Sequence, residues 1–103
     1  MSVINVNSNN FDEIIKSRVV VVDFFANWCG PCKMLSPIIE EVSNEMNEVV
    51  FAKVNIDESN DIASKFGIMS IPTLIIFKNG NEVNKNVGFL SKSELKEFIT
   101  KNM

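Results

Sequence analysis

The sequence predicts an α/β domain with a central mixed sheet of five strands flanked by four helices, in the order βαβαβαββα. Three observations carry this expectation. Val19 to Phe25 reads Val-Val-Val-Val-Asp-Phe-Phe, an apolar run without alternation, as a strand covered on both faces would show. Directly after it, Met34, Leu35, Ile38, Ile39, Val42 and Met46 recur at three- and four-residue intervals, the period of an amphipathic helix. Near the C-terminus, Asn79-Gly80 sits between two strand-like runs, a strong hairpin-turn signal.

The remaining elements follow in order. An edge strand is expected near Ile4. Phe11, Ile14 and Ile15 then give a short helix over Phe11 to Lys16, with Asn9 or Asn10 available as its cap. The long helix runs from about Cys29 to Asn47, with Glu40, Glu41, Glu45 and Glu48 on its wet side. Pro37 inside it removes one backbone hydrogen bond and predicts a kink. Val49 to Ile56 reads as a second buried strand. A short helix, Ser59 to Phe66, ends at Gly67. Strand, helix and strand in this order imply a parallel pair joined by a crossover. Thr73 to Phe77 and Glu82 to Val87 form the antiparallel hairpin. Ser91-Lys92-Ser93-Glu94 is a capping box that opens a last helix packing Leu95, Phe98 and Ile99 inward.

A chain of 103 residues fits one domain, expected over 1–103. The net charge of -3 lacks the basic footprint that a nucleic-acid binder needs. No run approaches the roughly 18 apolar residues of a membrane helix. Met1 to Asn5 carries no charged region followed by an apolar stretch, so no secretory signal is visible and the cytoplasm is the expected compartment.

The chain has two cysteines, in Cys29-Gly30-Pro31-Cys32, and no His. A pair three residues apart closes almost no loop, so it stabilises little by restricting the unfolded chain. Zinc wants four ligands from Cys, His or carboxylate, and this chain has neither a His nor a third Cys to complete a set. Redox chemistry accounts for the pair better. Cys29 falls between a buried strand and the first turn of a long helix, where unpaired amides and the helix dipole stabilise a thiolate. The thiolate is the form that attacks a disulfide. Gly30 and Pro31 suit the tight turn between the sulfurs, and Pro31 needs no donor in a first helical turn. Cys32 lies one turn deeper, close enough to attack a mixed disulfide formed at Cys29.

Val22-Asp23-Phe24-Phe25-Ala26-Asn27-Trp28-Cys29-Gly30-Pro31-Cys32-Lys33 resembles the active-site segment of the thioredoxin family. Similar in the same order are Ala52 to Asp57, then Gly67-Ile68-Met69-Ser70-Ile71-Pro72-Thr73, Lys78-Asn79-Gly80 and Val87-Gly88, so the resemblance covers nearly the whole chain. One departure is Phe25, where many members carry a second Trp; it is expected to alter fluorescence and packing more than chemistry.

The resemblance implies a thioredoxin fold and roles at matching positions. Cys29 is similar to the attacking cysteine and Cys32 to the resolving one. Asp23 matches the buried acid behind the pair, which moves protons to and from Cys32 through water; burial in an apolar strand also argues for a raised pKa. The plain alternative is an Asp bonded to nearby amides. Lys53 matches a lysine that tunes this acid, the alternative being an ordinary lysine reaching water. Ile71-Pro72 resembles the family's cis-proline loop, whose backbone edge pairs with an extended client; without the resemblance, a trans Pro72 opening the Thr73 strand is the default. Trp28, Gly30, Pro31, Ile71, Pro72, Thr73 and Gly88 are then expected to contact clients, with Trp28 exposed rather than core filling.

The implied activity is reduction of client protein disulfides by a monomeric protein with no bound cofactor or metal. A thioredoxin reductase, drawing on NADPH or another donor, would restore the dithiol. Two other readings remain: an oxidase or isomerase of the same fold, disfavoured by Gly30-Pro31 where those relatives more often carry His, and a non-redox binding module using the Trp28–Ile71 patch.

Overall fold

The computed structural model describes residues 3–103; Met1 and Ser2 of the expected domain lie outside the described residues. Among the described residues the elements run β1 (Ile4–Asn5), α1 (Phe11–Ile14), β2 (Val19–Phe25), α2 (Gly30–Glu45), β3 (Val50–Asn55), α3 (Asn60–Lys65), β4 (Thr73–Lys78), β5 (Asn81–Val87) and α4 (Lys92–Thr100). The strands make one sheet in the order β1-β3-β2-β4-β5. β3 pairs in parallel with both β1 and β2, β4 runs antiparallel to β2, and β5 is its hairpin partner. This is the five-stranded mixed sheet the sequence predicts.

β2 lies at the centre, and its alternation explains the two cores. Val19 and Val21 pack with Leu35, Ile39 and Val42 of α2 and with Leu95, Phe98 and Ile99 of α4. Val20, Val22 and Phe24 face the opposite side, with Phe11, Ile15 and Ile62. Each such side chain, fully buried, contributes roughly 1.5–3 kcal/mol. The same period of two puts Asp23 on the Val19/Val21 side, beneath α2. In the parallel register Asp23 stands opposite Lys53 of β3.

Local chemistry sets the element ends. Cys29 is the N-cap of α2 in an extended conformation, so the helix begins at Gly30, one residue after the expected start. It ends at Glu45 rather than near Asn47, because Met46 leaves the helical region at φ -120° and ψ 75°. Pro37 lies inside α2. Gly67 closes α3 with φ +63°, and Asn79 and Gly80 both take positive φ, as a type I′ hairpin requires. The first helix is corrected: α1 is one turn long, and Asn10, although at its N-cap, does not cap it with its side chain. Its Oδ1 turns back to accept the Asn7 amide at 2.8 Å, a bond within the preceding turn.

The capping box at α4 forms in both directions: Ser91 Oγ accepts the Glu94 amide at 3.2 Å, and Glu94 accepts the Ser91 amide at 2.9 Å. Ser91→Ala is expected to cost about 1 kcal/mol, read as a lower urea midpoint at unchanged slope. Lys92 and Lys96 of α4 also meet Glu45 of α2, holding its carboxyl down at about 2.

Candidate active site

The two cysteines meet at the N-terminus of α2, joined by a Cys29–Cys32 disulfide with their Cα atoms 5.2 Å apart. The Cys32 amide donates to Cys29 Sγ at 3.2 Å. This amide belongs to the unpaired first turn of the helix, so it offers stabilisation to negative charge on that sulfur. Pro31 stands beside it in the first turn, where its missing N–H leaves no bond unmade. Gly30 and Pro31 are exposed, whereas Cys29 and Cys32 are both buried, at 4 % and 3 % exposure.

Asp23 is 4 % exposed, and its Oδ1 is buried without a hydrogen-bond partner. The alternative of an Asp satisfied by nearby amides therefore fails for this oxygen. Burial raises the carboxyl's pKa from 3.8 to about 7, against the lowering effect of the Lys53 charge. Asp23, Cys32 and Lys53 line one cavity of about 220 Å3, together with Phe25, Ala26, Asn27, Lys33 and Ser36. Lys53 is half-buried, its Nζ 5.6 Å from the Phe25 ring centroid. Phe25 thus forms a wall beside the acid.

The loop before β4 closes over the disulfide. Its Ile71–Pro72 peptide is cis, and the Ile71 carbonyl oxygen lies 3.8 Å from Cys29 Sγ. Gly88 adopts φ +108° and its amide donates to the Pro72 carbonyl at 2.8 Å. A Cβ there would meet open space, so backbone conformation, not crowding, favours glycine. Thr73, expected among the client contacts, turns its side chain inward. It is 1 % exposed, and its hydroxyl donates to the Ser70 carbonyl at 2.6 Å. That side chain shapes the loop from within. Pro72 is buried too, leaving Ile71, half-buried, as the loop's accessible apolar member.

Trp28 is 68 % exposed, which excludes core filling, yet its indole is tethered: Nε1 donates to Asp57 Oδ2 at 3.0 Å. Asp57 was not singled out by the sequence, since no spacing relates residues 29 apart. Met69, 95 % exposed, and the exposed Phe89 extend the apolar surface near Ile71 and Gly88. A large apolar residue outside any periodic pattern was the only sequence signal for either.

A redox pair capping a helix, a buried acid behind it and a cis-proline loop facing it are joined by a match of the thioredoxin family model to residues 2–101. The chain belongs to the thioredoxin family. It is 46% identical over 104 residues to a thioredoxin of Staphylococcus haemolyticus, covering 100% of both chains. A thioredoxin of Chlamydia pneumoniae is 50% identical over 97 residues, covering 94% of this chain and 95% of its own. A thioredoxin variant of Halobacterium salinarum superposes with a TM-score of 0.91 at 34% identity, covering 98% of this chain and 90% of its own. As a member of the thioredoxin family, the chain is a dithiol–disulfide oxidoreductase with a protein-disulfide reductase role, and Cys29–Cys32 is its redox pair. Thioredoxins carry no prosthetic group. Among the described residues no cluster of three or more His, Cys, Asp or Glu could hold a metal, and no helix is long and apolar enough to cross a membrane.

Proposed function

We propose that this thioredoxin-family chain reduces client disulfides with Cys29 as nucleophile, Cys32 as resolving thiol and Asp23 as the proton relay between them. The observation that carries the reading is the shared cavity, in which a buried acid with a pKa of about 7 stands with Cys32. Cys29 thiolate attacks one client sulfur, forming a mixed disulfide and releasing the other as a thiolate. Asp23 carboxylate takes the Cys32 proton through water in the cavity, and Cys32 then displaces the client sulfur from Cys29. Two electrons pass to the client, and the Cys29–Cys32 disulfide is left. Lys53, opposite Asp23, keeps the acid's pKa from climbing further as its proton leaves. The same residues run in reverse when a thioredoxin reductase, fed by NADPH or another donor, restores the dithiol. The chain works as a monomeric single domain over 1–103, in the cytoplasm.

Client docking uses Trp28, Gly30, Pro31, Ile71 and the turn at Gly88. A client strand laid along Ile71 brings its disulfide to Cys29 Sγ, 3.8 Å from the Ile71 carbonyl. Asp57 acts as a positioning residue by fixing the Trp28 indole. Asp57→Ala removes one exposed hydrogen bond, worth about 1 kcal/mol, so KM for a protein disulfide should rise about fivefold with kcat little changed. Trp28 is the sole tryptophan, so its fluorescence anisotropy reports the released ring directly. An unmoved KM beside a loosened Trp28 would remove Trp28 from the docking surface.

The experiment that tests the reductase assignment is equilibration of the Cys29/Cys32 couple against a defined thiol buffer. A potential at or below about -220 mV, within the cytosolic glutathione range, supports a reductase. A value near -120 mV, that of a strong oxidant, would instead assign the chain to the oxidase side of the fold.

A further inference from the structure

We propose that the cavity at the carboxyl ends of β1, β2 and β3 binds a small oxyanion through Lys53 and the surrounding carboxamides, and that its occupancy reaches Asp23 through the shared Lys53. Three parallel strands end together here, the place where open α/β sheets take their ligands. The cavity holds about 330 Å3 and is lined by Asn5, Asn7, Asn27, Asn55, Lys53 and Glu58, with Val6 and Phe25. Its chemistry is rich in donors. Asn7 Oδ1 accepts the Asn9 amide and Asn55 Oδ1 the Asp57 amide, each at 2.9 Å, so both carboxamides spend their oxygen on a turn and retain their NH2 donors. Lys53 is half-buried with its ammonium over the Phe25 ring, and the ion pairs among the described residues do not include it. A cation held in place without a carboxylate at ion-pair distance, beside amide donors, suits a sulfate- or phosphate-like ion. Glu58 opposes such a ligand and sets its affinity low.

Lys53, Phe25 and Asn27 also line the Asp23–Cys32 cavity, so the two spaces share a wall. The charged and sulfur-bearing groups that share a cavity with Asp23 are Lys53 from β3 and Cys32 and Lys33 from α2; of these Lys53 is the charge that acts on it, and the partner of Asp23 on β4 is the apolar Leu74. An anion on Lys53 offsets the nearest positive charge that favours Asp23 carboxylate and adds negative charge of its own. Asp23 then holds its proton to higher pH.

Sulfate, which does not titrate near neutrality, is the probe. Added to the full chain in its disulfide form, with chloride at matched ionic strength as control, it should give saturable amide shifts at Asn27, Lys53 and Asn55 by NMR. The Asp23 carboxyl midpoint should rise enough to change its protonated-to-ionised ratio at pH 7 about threefold. Glu58→Gln should tighten sulfate binding about threefold or more, and Lys53→Gln, verified as folded by its amide spectrum, should abolish saturation. Equal shifts with chloride, or saturation surviving in Lys53→Gln, would overturn the site. Saturable binding with an unmoved Asp23 midpoint would overturn the coupling. The effect on turnover rests on the proton-relay reading, but these measurements read binding and ionisation in the resting protein and stand or fall without it.

Discussion

Cys32→Ser is expected to convert the chain into a trap: it attacks a client disulfide once and remains joined to it through Cys29. Turnover should fall by about a thousandfold or more. An intramolecular thiol acts at an effective concentration of about 10^5 M or above when well oriented, far beyond any external thiol. Mass spectrometry of the variant mixed with a disulfide-containing protein should find the covalent pair. Cys29→Ser should form no such adduct and reduce nothing, since a serine hydroxyl offers no thiolate and Cys32 lies inside the helix, without the helix-amide contact that Cys29 Sγ receives at the N-cap. If both single variants still turned over a protein disulfide, exchange through this pair would be excluded as the mechanism.

Asp23→Ala has the second large effect, and it acts on stability and on rate in opposite senses. Asp23 ionises at about 7 in the folded chain, against 3.8 for the free side chain. Well below pH 3.8 both folded and unfolded states hold the proton, and the acid imposes no pH dependence. Between pH 4 and 7 the unfolded state has lost it while the folded state keeps it, so stability falls as pH rises. Above 7 the loss levels off at about 4 kcal/mol. Removing the carboxyl should therefore stabilise the chain at pH 8 by about 2–4 kcal/mol, with the gain shrinking toward pH 4, where the enlarged cavity offsets it. Urea unfolding at the two pH values checks the sign. Client reduction should slow above neutral pH, and its rate profile should lose the limb near pH 7. A profile identical to that of the parent would leave Asp23 with no part in proton transfer.

Much of the fold was legible because it rests on local chemistry. The unbroken Val19–Phe25 run, the helical period after Cys32, the Asn79-Gly80 turn and the Ser91–Glu94 capping box each specify an element within a few residues. Where local reading missed, a competing local bond was responsible: Asn10 turns to the Asn7 amide, leaving α1 uncapped by its side chain. The site was legible in part. Cys29 and Cys32 announce themselves by spacing and position, and Asp23 by a carboxyl set in an apolar strand. Thr73 matched a motif, but only its burial reveals that the hydroxyl is spent on Ser70. Asp57 lies in a matching stretch, but its role gave no sign, because its bond to Trp28 spans distant parts of the chain.

The sequence by itself determined the elements, their order and the redox pair, since hydrophobic period, turn residues and helix caps act over a few residues each. Tertiary structure decided which groups share a cavity. Parallel registry sets Asp23 opposite Lys53, strand alternation turns Asp23 beneath α2, and the cis-proline loop brings Ile71 to Cys29 from 42 residues away. Those relations follow from how the sheet pairs and closes, which depends on the packing of all its strands and helices together.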